Sequence, residues 1–486
     1  MFSNSKLNEK LKGPSGRKII VSIGLCAIIL VSFFAGYFTR HSIRGETVQV
    51  VSDIVEIMDK VGYIYDPEID DYVKLETDKV ARLIAGNFLD GYSAYYTKEE
   101  YEKLVQENSG RYLGIGVSFS ATELENSNQI LKVSLNSPAF NAGIKDGDQV
   151  VGVKKVIANA TEEQEYTPIE NGKQLSDFMK AVVENQKVSL KIIRDSEELF
   201  FEVIKSEYYM CYVTYTDSEQ KAYFSPDGNT EGESVENVGD SIKEHPYDSG
   251  NAQLGDDVAI ITLSAFEGDA GYQIGAVIKY MISRGRTSLI LDLCGNGGGD
   301  MRVLTEVASH LIYNQGKNDY KIVSANEKLD GDGAETEEGY RVSHFSVENN
   351  NFNLGVEKIT VMADRYTASA SECLIGAMIH YSKSSNPEQE DGKKEPFSKD
   401  NLVIVSSLDS AGQTVYRTYG KGIMQTTYRL QSGGALKLTT AKITWPDGKT
   451  CIHKVGIKPS LSQNGVLDKQ SAIDRAIEIA SQLEKD

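Results

Sequence analysis

From Asp257 to the C-terminus, apolar strands alternate with helix-patterned segments, and no other feature narrows the fold of this chain as far. Val258 to Leu263 reads as a strand. Tyr272 to Ser283 places Ile274, Val277, Ile278, Met281 and Ile282 on one side of a helix, and Gly285 suits its C-terminal stop. Leu289-Ile290-Leu291-Asp292-Leu293 is an apolar strand broken by a single acid, the pattern of a strand covered on both faces. A helix over Met301 to Ile312, a strand over Ile359 to Asp364 and a helix over Ser371 to His380 repeat the alternation. It predicts an α/β core whose chemistry sits in loops at strand ends.

Two of those loops carry reactive chemistry. Gly295-Asn296-Gly297-Gly298-Gly299-Asp300 lies between a strand and a helix, where bare backbone amides can stabilise an oxyanion; it lacks the lysine ending of a P-loop and the spacing of a dinucleotide fingerprint. Thr367-Ala368-Ser369-Ala370-Ser371-Glu372 leads into the next helix, where the first amides favour developing negative charge. Position alone does not separate Ser369 from Ser371, and serine at such a turn also serves as an N-cap. A serine hydroxyl needs a base, and Lys421, between Gly420 and Gly422 and before Ile423 and Met424, supplies one if burial lowers its pKa.

Upstream, Ile19 to Phe38 is a run of 20 uncharged, mostly apolar residues, long enough to span a hydrocarbon core. Lys6, Lys10, Lys12, Arg17 and Lys18 precede it, which orients residues 1–18 toward the cytoplasm and the remainder outside it. The run exceeds a usual signal-peptide core and no Ala-x-Ala site follows, so 19–38 is expected to be an uncleaved anchor. Val48 to Met58 and Val80 to Phe88 have helical spacing and predict a small helical segment over 45–107. Tyr112 to Phe119, Gln129 to Leu135 and Val188 to Ile193 read as strands, Leu175 to Val183 as a helix.

With 486 residues, about three units are expected. The net charge of −19 argues against nucleic acid as a partner. Eleven acids against Lys221 and Lys243 fall between Asp217 and Asp257, a composition that predicts a solvated acidic connecting segment over 207–256. A second loop-like run is Lys383 to Asp400. The six histidines and five cysteines show no metal-ligand spacing, so neither metal nor cofactor is expected.

The string Ser137-Pro138-Ala139…Ala142-Gly143-Ile144…Gly147-Asp148, following Gly114-Ile115-Gly116, resembles a PDZ domain over 108–206. The resemblance implies that Leu113, Gly114, Ile115 and Gly116 hold a peptide's terminal carboxylate. Leu291-Asp292-Leu293-Cys294-Gly295-Asn296-Gly297-Gly298-Gly299, Thr367 to Glu372, and Tyr419-Gly420-Lys421-Gly422-Ile423-Met424-Gln425, in that order, resemble the carboxy-terminal processing (tail-specific) serine proteases. Gly434 to Lys442, Gly456 to Pro459 and Leu89 to Tyr96 extend the likeness.

That resemblance implies a mixed α/β fold: an N-terminal membrane helix, a helical segment, a PDZ domain, and a crotonase/ClpP-like α/β protease core with closing β-strands over 257–486. It implies Ser369 as nucleophile, Lys421 as general base, and Gln425 holding the lysine. Ala370 with Gly298 or Gly299 would form the oxyanion hole. Departures are Cys294 and Gly297, where the family often has Arg and Pro, and a serine-to-lysine separation of 52 positions. The expected protein is a single-pass membrane endopeptidase with its catalytic part extracytoplasmic, possible self-association, and protein tails as substrates. The alternative is an inactive membrane-anchored PDZ module.

Overall fold

The computed structural model describes residues 60–482, apart from 67–70, 75–76, 121–122, 158–163, 226–240, 330–338 and 385–393. The expected anchor at 19–38 and the helix over Val48 to Met58 lie outside the described residues. The chain forms two compact units, divided after Gly91. In the first, strands β1 (Tyr63–Asp66) and β2 (Asp71–Lys74) form an antiparallel hairpin ahead of helix α1 (Thr77–Phe88). The expectation of an all-helical segment over 45–107 is corrected here. Tyr63-Ile64-Tyr65 and Tyr72-Val73 are aromatic and β-branched runs that favour a pleated pair.

The second unit opens with β3 (Ala94–Tyr96) and α2 (Lys98–Asn108), whose start carries a capping box between Thr97 and Glu100. Strands β4 (Arg111–Gly114), β5 (Val117–Ser118) and β6 (Lys132–Val133) lead to α3 (Pro138–Ala142). There Ser137 accepts the Phe140 amide, and Gly143 (φ 90°) ends the helix in the left-handed region. Strands β7 (Gln149–Lys155) and β8 (Thr167–Pro168), helix α4 (Gly172–Lys180), β9 (Lys187–Arg194) and β10 (Glu197–Ile204) complete a four-stranded antiparallel sheet, order β10-β9-β7-β8. The turn at Asp146 to Asp148 is pinned by charge: buried Asp148 takes a two-pronged bond from Arg194 (2.6 and 2.7 Å).

Strand β11 (Ser206–Tyr209) returns to pair with β4, and β12 (Val213–Thr216), β13 (Gln220–Phe224) and β14 (Ile242–Ser249) follow. The last three belong to an eight-stranded sheet, so the described residues of the expected acidic connecting segment 207–256 include paired strands, while 226–240 lie outside the described residues. Among its described acids, Asp217, Glu219 and Asp248 are paired. Asp217 is buried against Arg284 (2.7 Å), Arg286 (3.3 Å) and the Tyr215 hydroxyl (2.8 Å). Burial works against its ionised form, but Arg284 and the surrounding donors hold the carboxyl well below its ordinary range. The β13–β14 pair also grips α3: the Phe140 ring meets Tyr223 and His245 at 5.5 Å and Tyr247 at 5.8 Å.

The eight-stranded sheet continues through β15 (Val258–Leu263), β16 (Ser288–Asp292), β19 (Lys358–Ala363), β20 (Phe397–Val405) and β25 (Gly465–Val466), all parallel. Helices α5 (Ala270–Ser283), α6 (Met301–Leu311) and α7 (Ala370–Ser384) supply the main core, and α8 (Lys469–Ser481) the smaller one. Strand alternation assigns the residues: Leu289 and Leu291 join the main core, while Ile290 packs with Ala472, Ala476 and Ile479. Each such buried aliphatic side chain contributes about 1.5–3 kcal/mol. The loop expected over Lys383 to Asp400 is shorter than composition suggests, because α7 runs to Ser384 and β20 begins at Phe397. A second sheet, in the order β18-β17-β24-β23 with β3 on β24, is built from β17 (Tyr320–Lys328), β18 (Tyr340–Val347), β23 (Ile423–Arg429) and β24 (Ala435–Thr444).

Candidate active site

The loops after β16 and β19 emerge side by side because their strands are parallel neighbours, and a dense set of bonds joins them. Asp364 Oδ1 accepts the amides of Gly295 (3.0 Å), Tyr366 (2.9 Å) and Thr367 (2.9 Å). The Thr367 hydroxyl donates to the Leu293 carbonyl (2.8 Å), and the Ala368 amide to Asn296 O (3.0 Å). Ser371 is fully buried and its hydroxyl donates to the same Asn296 carbonyl (3.0 Å), so that hydroxyl is committed to joining the loops. Ser369 is buried and held at φ 57°, in the left-handed region that a serine rarely adopts.

Two glycines make this approach possible. A Cβ on Gly298 (φ 100°) would stand 2.7 Å from Ser369 Cβ, and one on Gly299 (φ 151°) 2.2 Å from the Phe266 carbonyl oxygen. The amides divide accordingly. Gly298 N–H donates to Asn296 Oδ1 (2.9 Å), whereas among the described residues neither the Ala370 nor the Gly299 amide has an acceptor. Of the three amides read from the sequence, Ala370 and Gly299 remain open to an oxyanion, and Gly298 is spent within its own loop.

Glu372 went unassigned in the sequence. On the first turn of α7 and fully buried, its carboxylate accepts from Ser369 N (3.1 Å) and Lys421 N (2.8 Å) on one oxygen, and from Gly420 N (2.7 Å) and Thr418 Oγ1 (2.5 Å) on the other. A single carboxylate therefore ties the Ser369 turn to the segment before β23, across the whole interval between them. Burial pushes its pKa up, and the donors from Thr418, Lys421, Gly420 and Ser369 oppose that shift. The signal available in sequence was an acid placed where the helix is otherwise apolar.

Lys421 lies just before β23, with its ammonium 5.3 Å from the centre of the Tyr92 ring. The Tyr92 hydroxyl bonds the Tyr419 hydroxyl (3.1 Å), and Tyr419 N–H donates to Thr367 O (3.0 Å). Gln425 Nε2 donates to Thr439 Oγ1 (3.1 Å), across a register shift between β23 and β24. The residues expected to hold a carboxylate stand elsewhere. Leu113 and Gly114 are in β4, paired with β11; Ile115 and Gly116 turn the chain, their carbonyls accepting Ala139 N (2.9 Å) and Ser134 N (2.8 Å). Phe119 packs on Gly172 at the start of α4.

The profile of peptidase family S41 matches residues 257–384 and 412–462, and the unmatched interval between them holds most of the loop-like run Lys383 to Asp400. A protein of Staphylococcus haemolyticus strain JCSC1435 named "Probable CtpA-like serine protease" is 24% identical over 470 residues, 94% of this chain and 74% of that one. One of the same name in Staphylococcus aureus strain N315 is 25% identical over 81% of this chain and 62% of its own length. Among solved structures, the photosystem II D1 C-terminal processing protease is 17% identical, with a TM-score of 0.39 over 83% of this chain and 86% of that one.

Proposed function

The chain belongs to peptidase family S41, the carboxy-terminal processing serine proteases, and from that premise we propose that it cleaves protein tails with Ser369 as nucleophile and Lys421 as general base. What carries this reading is the Glu372 carboxylate, which gathers the backbone of both residues onto one anchor. The neutral Lys421 amine takes the Ser369 hydroxyl proton as Oγ attacks the scissile carbonyl. The oxyanion receives the Ala370 and Gly299 amides. Collapse breaks the C–N bond, Lys421 returns the proton to the leaving amine, and water then hydrolyses the ester. Gln425 holds the lysine side chain in place, as the family resemblance implies.

The PDZ-like unit over 108–206 recognises the substrate's C-terminus through residues 113–116, and the apolar run 19–38 anchors the chain with its catalytic part outside the cytoplasm. Cleavage of fluorescein-labelled casein by the full chain tests the chemistry: Ser369→Ala and Lys421→Ala are each expected to abolish it. Equal cleavage by wild type and both variants would sink the assignment of these residues, and no cleavage by any of the three would favour an inactive binding module. Protease added to intact cells should digest the region after residue 40; protection would overturn the proposed orientation.

A further inference from the structure

We propose that Tyr92 is a positioning residue that holds Lys421 and sets the pH at which its amine becomes a base. The inference rests on Lys421 being that base. Tyr92 reaches the lysine from just ahead of β3, which is fixed by pairing with β24, while Ser93 Oγ accepts the Thr439 amide (3.2 Å). It engages the lysine segment twice. Its ring face lies 5.3 Å from Lys421 Nζ, within the range of a cation–π contact, and its hydroxyl bonds that of Tyr419, two residues before the lysine. Through the Tyr419 amide on Thr367 O, the same contact reaches the nucleophile turn.

The two contacts have separable effects. A ring face attracts the ammonium and not the free amine, so it raises the lysine's pKa and delays its action as a base as pH rises. Other ionisable groups lie near the Lys421 segment. Glu372, bonded to the Lys421 amide, favours the cation. Lys454 meets this segment through its amide, which donates to Gly420 O (2.7 Å), and His453 and Cys451 pack against Gly422. Tyr92 is the aromatic group over the ammonium, and two variants that both lack its hydroxyl isolate the contribution of the ring face. The hydroxyl bond to Tyr419 instead fixes the backbone from which Lys421 projects, and its loss should lower kcat without moving the pH dependence.

The test measures kcat/KM for labelled casein against pH in the full chain. Replacing Tyr92 by 3,4,5-trifluorophenylalanine keeps the ring's shape, drains its face of negative charge and removes the hydroxyl, so Tyr92→Phe, which lacks only the hydroxyl, is its reference. The acidic limb should move down by about half to one and a half pH units. Tyr92→Phe should keep the limb in place and lower kcat a few-fold. As an activity-independent readout, acetic anhydride labelling of Lys421 in Ser369→Ala protein, mapped by mass spectrometry across pH, should show the same shift in the fluorinated variant. An unmoved limb and labelling midpoint in that variant would overturn the role of Tyr92 while leaving the Ser369/Lys421 assignment intact. Wild-type cleavage by Lys421→Ala would overturn the assignment itself, and this inference with it.

Discussion

Replacing Glu372 by glutamine should loosen the active site more than any other isosteric change to a single side chain. The carboxylate accepts four donors, from Ser369 N, Lys421 N, Gly420 N and Thr418 Oγ1, and the space is closed to water. A glutamine carbonyl keeps two of them and turns an NH2 group toward the other two. Each lost bond to a charged acceptor costs about 1.5–3 kcal/mol, giving about 3–6 kcal/mol in total. The neutral amide escapes the burial penalty that pushes the carboxyl's pKa up, so the net cost should lie near the lower end. At about 2 °C per kcal/mol for a large domain, Tm should fall by about 6 °C. If a similar energy separates the joined from the parted loops, kcat/KM for casein should fall about a hundredfold well below Tm. Glu372→Asp keeps the charge but lacks the reach, and should recover less than a tenth of the lost activity. The reasoning is refuted if Glu372→Gln melts within about 1 °C of wild type and retains kcat/KM within about threefold.

Two further outcomes follow from local geometry and charge. Gly298→Ala places a Cβ 2.7 Å from Ser369 Cβ at φ 100°, so a folded variant, melting a few degrees lower by about 1–3 kcal/mol of strain, should lose casein cleavage at least tenfold. Glu395, half-buried with its carboxylate on the Tyr313 amide (3.0 Å) and that of Asn314, has its pKa raised by desolvation to about 7 from 4.5. The folded state therefore keeps a proton that the unfolded chain has released. Stability from this group is full below pH 4.5 and is lost as pH rises through about 7, a change of about 3 kcal/mol. Urea unfolding of Glu395→Gln across that window should show a flatter pH dependence than wild type, and an identical one would refute the shift.

The parallel core was legible because its strands state their environment in their composition. Val258 to Leu263, Leu289 to Leu293 and Ile359 to Asp364 are apolar on both faces, and the structure places each between helices, with ends within a residue of those read. Around the acidic stretch after Asp217, composition missed the strands for a related reason. Composition reports average solvation, whereas Asp217 is neutralised by Arg284 and Arg286, about seventy positions away, and Tyr223 and Phe224 are buried between acids. Partners at that separation leave no local periodicity. The hairpin of β1 and β2 was missed because the Asp- and Tyr-rich stretch between the two helix-patterned segments reads as a connection, although its tyrosines and β-branched residues favour a pleated pair.

The site divides along the same line. Order of motifs singled out the serine and lysine segments, but Ser369 and Ser371 are distinguished only by what surrounds them: one hydroxyl is bound to Asn296 O, and the other belongs to a residue held in the left-handed region. The choice between Gly298 and Gly299 likewise turns on which amide Asn296 Oδ1 has taken, a matter of turn geometry rather than residue type. Glu372 and Tyr92 show what sequence position conceals most. Glu372 stands out only as an acid in an apolar helix and Tyr92 not at all, and the contacts of each are made with a segment far along the chain. A long connection between Ser369 and Lys421 is tolerable because neither depends on it for placement: Ser369 is set by β19 and α7, Lys421 by β23, and the Glu372 carboxylate closes the interval, so loop length adds only slowly growing closure entropy.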